Sequence, residues 1–470
     1  MTISFAELAA GWAALMEEHL VDMTSGQGVV LPANQPSQQL EVWSGAFPER
    51  GRLDWSPWLV QILANSNHLH HPGYVGHQVT APHPLAVIAQ ASAALLNNSP
   101  AIFEMGPAAL ATEKRVVDWM VGQIGWGEQA GGFFCSGGSL GNLTALAAAR
   151  ANAFPDAWQT GFPRHQLCIV CSDQNHYSVT RTAGILGLGA NSALVVPSGP
   201  DFTLDPAHLR SACLEATRNG RKMMAVIAVA PGTSTGRFDP LREIGTFCRE
   251  QGIWFHVDAA HGGPTLLSPR FRHYLDGVEL ADSLVWDTHK MMRMPALSTA
   301  VLFRDRQQAD LAFRQNAPYL AESDPDADWA NPYPRTIECT RTMGAWPLYF
   351  CLQVLGIAPF REYLEACYDL TRAFHQLLLE HPCFEAMHEP HANIQCFRHI
   401  APSSEGSDAL QVRLRSAVLQ RGDFYLVQTR LKNATCLRVT LINPNTTLEH
   451  LQTLLEQLHQ AAMEDNGAKS

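Results

Sequence analysis

Through the middle of the chain, short apolar runs alternate with amphipathic stretches. Met223–Ala230 is followed by a helical pattern near Pro240–Glu250, then by Ile253–Val257 and, after a crossover, by Ser283–Trp286. Apolar runs this short, bounded by turns, read as buried strands, and the three-to-four-residue periodicity between them reads as helix. The alternation predicts an α/β fold with a mostly parallel sheet. Two helical patterns precede it, Leu85–Leu96 and Ala108–Ile124. Residues 1–60 begin with one more (Phe5, Leu8, Trp12, Leu15, Met16) and continue into a polar stretch containing Gly and Pro. After about residue 345 the order changes to helices Pro347–Val354 and Pro359–Glu380, strand Asn393–Phe397, helix Asp408–Gln420, and strands Phe424–Arg430 and Cys436–Ile442. A last helix is announced by a capping box from Thr446 to Glu449, where each side chain can satisfy the other residue's backbone N–H. The pattern divides the chain into an N-terminal arm (1–60), a large α/β domain (61–345) and a smaller α+β domain (346–470), without internal repeats.

With 470 residues, 46% hydrophobic and 16% charged, the chain can bury a large core. Its formal net charge of -11 and scattered basic residues argue against a nucleic-acid partner. The first twenty residues carry Glu7, Glu17 and Glu18 but no Lys or Arg, unlike a signal or transit peptide, and no apolar run is long enough to span a bilayer. Eleven cysteines are an odd number, and the one CxxC spacing, Cys168 to Cys171, lies inside an apolar run. Buried reduced thiols in a cytoplasmic protein are expected.

Three places carry candidate chemistry. Lys290, in Asp287-Thr288-His289-Lys290, stands just beyond the run Ser283–Trp286, where a lysine can present its amine at the carboxyl ends of parallel strands. Most lysines after strands are merely solvated, so a second feature is needed. Asp258 supplies it by closing the run Ile253–Val257: a carboxylate so placed is costly unless paired, and a protonated pyridine nitrogen is a suitable partner, although an N-cap or turn role competes. The third place is Cys135-Ser136-Gly137-Gly138-Ser139-Leu140-Gly141-Asn142 before a helix over Leu143–Ala153. Glycines there let the backbone approach an anion and the helix start offers N–H donors. The spacing is not that of a nucleotide P-loop.

Ser136-Gly137-Gly138-Ser139, Asn175-His176-Tyr177-Ser178-Val179, Gly232-Thr233-Ser234, His256-Val257-Asp258-Ala259-Ala260 and His289-Lys290 resemble, in order and spacing, the group II pyridoxal-phosphate decarboxylases. That family includes aromatic amino acid, glutamate, cysteine sulfinate and diaminobutyrate decarboxylases, and the likeness runs from about His71 to Leu455. The resemblance implies the fold type I architecture of pyridoxal-phosphate enzymes, a large α/β domain with a smaller C-terminal α+β domain, and a homodimer with shared active sites. It also implies roles: Lys290 as the Schiff-base lysine, Asp258 at the pyridine nitrogen, His176 stacked on the ring with Ala260 beneath, and Thr233 near the ring oxygen. Gly138, Ser139 and His289 would gather round the phosphate. Arg438, in an apolar strand where an unpaired guanidinium is costly, either binds a substrate carboxylate or braces a domain interface.

The His68-Leu69-His70-His71 cluster with His77 lacks Cys or carboxylate ligands at metal-site spacing, so no metal is expected, and His77 is instead a candidate substrate contact. The family's mobile loop corresponds to Glu322–Thr340 and carries a tyrosine that protonates the α-carbon after CO2 leaves. Alignment on Ile337–Arg341 puts Ala330 at one family tyrosine position and Tyr333 within one residue of another, which makes Tyr333 the candidate donor. The expected reaction is decarboxylation of a small polar L-amino acid such as 2,4-diaminobutyrate, glutamate or aspartate. An aldehyde lyase, an aminotransferase, a decarboxylation-dependent oxidation or a catalytically silent dimeric scaffold are the alternatives.

Overall fold

A computed structural model describes residues 4–32, 35–51, 54–161, 167–313, 329–400 and 406–467. The acidic stretch Glu322 to Asp328 lies outside the described residues. Seven strands form one sheet: β1 Gly131–Cys135, β2 Leu167–Ser172, β3 Ala193–Val196, β4 Lys222–Val229, β5 Trp254–Asp258, β6 Ser283–Asp287 and β7 Thr299–Phe303, in the order β1-β7-β6-β5-β4-β2-β3. Strands β3, β2, β4, β5 and β6 are parallel, and β7 runs antiparallel between β6 and β1. Both β5 and β6 are buried at every residue. A central parallel strand is covered on both faces, which explains why these segments read as unbroken apolar runs.

The helix Gly138–Ala153 packs against the sheet through small residues, Ala145, Ala147, Ala148 and Ala149 among them. It begins five residues earlier than the sequence pattern placed it, so the Gly-rich turn is itself the first helical turn. A Cβ on Gly141 would lie 2.9 Å from Val285 Cγ2 on β6, so glycine sets how closely helix and strand approach.

The contacts divide the chain into one unit of Pro82–Ala366 and another combining Met1–Ala81 with Cys367–Ser470. The sequence pattern put its divisions near 60 and 345. Helix Trp346–Leu355 packs on helices Pro84–Leu96 and Pro107–Ile124 and so belongs to the first unit. In the second unit, the Val30 N–H donates to Gly422 O (2.8 Å), the Tyr425 N–H to Gly73 O (2.9 Å) and the Val75 N–H to Tyr425 O (3.0 Å). These bonds tie the first eighty residues to the C-terminal sheet, formed by β8 Phe384–Ala386, β9 Ile394–His399, β10 Val427–Leu431 and β11 Ala434–Thr440 in the antiparallel order β10-β11-β9-β8. Strand β10 begins at Val427 rather than Phe424 because Tyr425 is engaged by Gly73–Val75. The final helix, Leu448–Gly467, is capped one residue later than expected. Thr447 and His450 make the reciprocal pair, whereas Thr446 donates its hydroxyl to Pro72 O (2.6 Å).

Arg341 anchors the chain after the undescribed segment. Its guanidinium pairs with Glu113 (3.1 Å) and donates to the carbonyls of Phe134 and Pro100, with both charged side chains buried. Burial holds the Glu113 carboxyl above the usual carboxylate range even though Arg341 opposes the shift. Removing one member leaves the other charge buried and alone, a loss of about 3–5 kcal/mol. Arg341→Met should therefore lower the thermal midpoint and speed amide exchange in residues 329–345. The double variant Arg341→Met/Glu113→Leu should recover most of the loss. Equal midpoints for wild type and the single variant would show that the pair does not hold this segment.

Candidate active site

Two buried carboxylates end adjacent parallel strands, Asp258 on β5 and Asp287 on β6. Lys290 follows three residues after Asp287 and returns its Nζ to 2.9 Å from Asp287 Oδ2. Thr299 on β7 donates to the other Asp287 oxygen (2.6 Å). His289 places Nδ1 2.8 Å from Ser298 O and Nε2 3.6 Å from Asp287 Oδ2. Burial disfavours the Lys290 ammonium, but contact with Asp287, aided by Asp258, outweighs that cost, and the Lys290 pKa is raised. The ion pair holds Asp287 below its ordinary value against burial.

Asp258 is fixed by a chain of hydrogen bonds with one possible direction. Trp254 Nε1, which can only donate, gives its proton to Ser283 Oγ (2.8 Å). Ser283 then donates to His256 Nδ1 (2.9 Å), His256 Nε2–H to Asn142 Oδ1 (3.0 Å) and Asn142 Nδ2 to Asp258 Oδ2 (2.8 Å). The carboxylate, which only accepts, ends the chain. His256 must be neutral to serve as both acceptor and donor, and complete burial pushes its pKa down to about 4 despite Asp258 nearby. Asn142 Nδ2 also donates to Ser178 Oγ (3.1 Å), whose hydroxyl reaches His176 Nδ1 (2.9 Å) and leaves Nε2–H of His176 as the outward donor. Burial lowers the His176 pKa, with Lys290 adding to the effect and Asp258 and Asp287 opposing it.

Of these groups, Asn142, His176, Asp258, Asp287, His289 and Lys290 line one cavity of about 320 Å³. Gly138, Ser139, His176, Thr233, Asp258, Ala260, His289 and Lys290 all border it, so all eight residues named as cofactor contacts are brought together. Tyr333, in the short helix Tyr333–Arg335, is not among the described residues lining it. His77 and Arg438 belong to the other unit. There Arg438 is buried on β11 opposite Val427 and Cys396, and the same surroundings hold Tyr74, Tyr425 and Arg415. Burial, then Arg438 and Arg415, lower the His77 pKa. Asn142 and Asp287 join the site without a role expected from the sequence. Asp287 was open to the reasoning used for Asp258, a charge closing an apolar strand; Asn142 could be found only once helix and β5 were seen to meet.

The cavity fits an aldehyde cofactor carrying a phosphate and a basic ring nitrogen. Lys290 offers an amine. Asp258 Oδ1 accepts only the Ala260 N–H (3.2 Å) among the bonds described, so each carboxylate oxygen keeps a lone pair for a cationic N–H. The N-terminus of Gly138–Ala153 presents free N–H groups and positive dipole to the same cavity. A Cβ on Gly138 would stand 3.2–3.3 Å from both Asp287 oxygens and 3.4 Å from Ala260 Cβ, a tight fit that glycine avoids.

Fold and site together define a fold type I pyridoxal-phosphate enzyme. The chain belongs to the pyridoxal-dependent decarboxylases: the family model "Pyridoxal-dependent decarboxylase conserved domain" matches residues 61–400. Cysteine sulfinic acid decarboxylase of Mus musculus is 31% identical over 72% of this chain and 69% of its own length. L-2,4-diaminobutyrate decarboxylase of Rhizobium meliloti (strain 1021) is 31% identical over 84% of this chain and 80% of its own. A crystal structure of mouse CSAD superposes with a TM-score of 0.88 at 25% identity, covering 96% of this chain and 98% of that one. The protein is accordingly a carboxy-lyase that uses pyridoxal phosphate to decarboxylate an amino acid.

The raised Lys290 pKa has a direct consequence in cofactor-free protein. A raised ammonium pKa means that free amine appears only at higher pH, and removing Asp287's charge should bring it down. Labelling with an aryl fluoride, followed by peptide mass analysis across pH, should show Lys290→aryl-lysine conversion rising later than at exposed lysines. Asp287→Asn should shift that profile to lower pH; superimposable profiles would assign control of Lys290 to another group.

Proposed function

We propose that Lys290 holds pyridoxal phosphate covalently and that the substrate is a small polar L-amino acid, with L-2,4-diaminobutyrate the first candidate. The observation that carries the site assignment is the juxtaposition of Lys290, Asp258 and His176 around one cavity, which folding alone does not require. When bound, the cofactor supplies an electron sink for the pair released with CO2. Asp258, buried and held by Asn142 and the Ala260 N–H, would hold a proton on the pyridine nitrogen. His176 and Ala260 would hold the ring, Thr233 would serve its oxygen, and Gly138, Ser139 and His289 would hold the phosphate.

Of the two relatives named above, the diaminobutyrate enzyme aligns over more of this chain, which favours the diamino acid. The second reading is a dicarboxylic substrate such as glutamate or aspartate, in line with the likeness to cysteine sulfinic acid decarboxylase, and Arg438 is the candidate contact for a substrate carboxylate. Its guanidinium shares a largely buried neighbourhood with His77 and Arg415, and such a group suits a carboxylate. Tyr333 is the proposed proton donor, acting from one subunit on its partner's cavity in a cytoplasmic homodimer. The helices Phe5–Thr24, Pro36–Val42 and Ser56–Ala64 bury none of their residues in the single chain. Phe5, Leu40 and Trp58 are 68%, 75% and 62% exposed. A second copy covering this apolar surface accounts for its composition.

Purified protein with pyridoxal phosphate should convert one amino acid of a panel into the amine lighter by CO2, and borohydride reduction should label Lys290. Conversion of diaminobutyrate alone supports the first substrate reading, and of glutamate or aspartate the second. An aldehyde or keto acid as sole product would replace decarboxylation to an amine by another reaction. Asp258→Asn should fold and lose about 10²–10³-fold in turnover, the scale expected for a charge aimed at a developing one. Tyr333→Phe should raise the share of aldehyde or pyridoxamine products, and an unchanged ratio would assign the proton to a different residue. Light scattering should give twice the chain mass; a monomer would remove the shared-site reading.

A further inference from the structure

Far along the chain from Lys290, in the unit that contains the C-terminal sheet, three side chains meet that no step of the decarboxylation uses. Cys383, His399 and His459 offer one sulfur and two ring nitrogens, all within 4.8 Å of one another. His399 Nε2 lies 3.0 Å from His459 Nδ1. We propose that these residues form a binding site for a zinc-class transition-metal ion, distinct from the cofactor cavity.

The spacing suits such an ion. With metal–nitrogen bonds of about 2.0–2.1 Å and a metal–sulfur bond of about 2.3 Å, neighbouring donors of a tetrahedron stand roughly 3.3–3.7 Å apart. The present separations, all within 4.8 Å, bracket that spacing. A hydrogen bond between the two imidazoles explains their own approach but not the thiol beside them. One thiolate with two imidazoles selects borderline-soft ions over calcium or magnesium, which take oxygen ligands.

The framework is already fixed. Phe384 pairs with His399 across β8 and β9, and the Ile400 N–H donates to Cys383 O (2.9 Å), so the first two ligands ride on one hairpin. His459 comes from helix Leu448–Gly467, whose Leu458, Ala461 and Ala462 are buried in the core of this unit. The Phe384 ring stands edge-on to His399, with centroids 4.9 Å apart, and limits its rotation. His381 braces the loop by accepting the Cys383 N–H at Nδ1 (3.2 Å). His399 is buried while Cys383 and His459 remain half-exposed, which leaves a path for the ion and a fourth position for water. Binding would release the thiol proton and clamp the last helix to the edge of the sheet.

The test uses untagged holoenzyme stripped of metal with a chelator and still loaded with pyridoxal phosphate. Zinc chloride should bind at one equivalent per chain and raise the thermal midpoint. Cobalt(II) should give thiolate-to-metal charge-transfer absorption together with the visible bands of a tetrahedral ion. Cys383→Ser should abolish the charge-transfer band, and His459→Ala, at a half-exposed helix position, should weaken zinc binding at least about a hundredfold, since even outer-shell changes cost 10–100-fold. Both variants should keep their circular dichroism and cofactor absorbance. Zinc uptake unchanged in the double variant, or cobalt binding without a thiolate band in the wild type, would overturn the proposal.

Discussion

Placing negative charge at the ends of apolar strands is the constraint around which the active-site half of the molecule is organised. Asp258 and Asp287 close β5 and β6 inside a sheet covered on both faces, where an unpaired carboxylate would be strongly unfavourable. Each is satisfied differently. Asp287 receives Lys290 and the Thr299 hydroxyl, so its charge is balanced within the protein. Asp258 receives neutral donors only, from Asn142 and Ala260, so its charge is solvated but not cancelled. That difference divides the labour: one carboxylate governs the lysine, and the other keeps a charge that no cation among the described bonds cancels.

The small residues of helix Gly138–Ala153 follow from the same constraint. Its N-terminus has to come close enough to β6 for Gly138 to face Asp287, and Asn142 has to reach Asp258 and His256 from one side chain. Glycine at 138 and 141 and alanines further along permit that approach. A bulkier face would hold the helix off the sheet, leaving Asn142 short of its partners and the His176–Ser178 pair without its donor.

Much of this was legible in the chain because strand burial leaves a simple trace. The runs over β4, β5 and β6 gave their positions to within a residue or two, and the charges that interrupt them marked the carboxyl ends where a site forms. The two contact units leave less of a local trace. Tyr74 and Tyr425 are separated by most of the sequence, and backbone bonds between their neighbours have no local signature in hydrophobic pattern. The late cap at Thr447 was missed for a related reason: Thr446 looked equally suitable until Pro72 O claimed its hydroxyl. Cys383, His399 and His459 lie too far apart in sequence to suggest a common ligand set; only the fold joins them.

The run of hydrogen bonds from Trp254 to Asp258 begins at a group that can only give a proton and ends at one that can only take it. Its polarity cannot be reversed by a tautomer change, and with His256 held near 4 it does not titrate in the neutral range. The chain thus behaves as a permanent oriented dipole buried under the sheet's carboxyl edge, an electrostatic reference insulated from the solvent. Changes in medium pH act on the Lys290 amine, while the field set up at Asp258 stays constant.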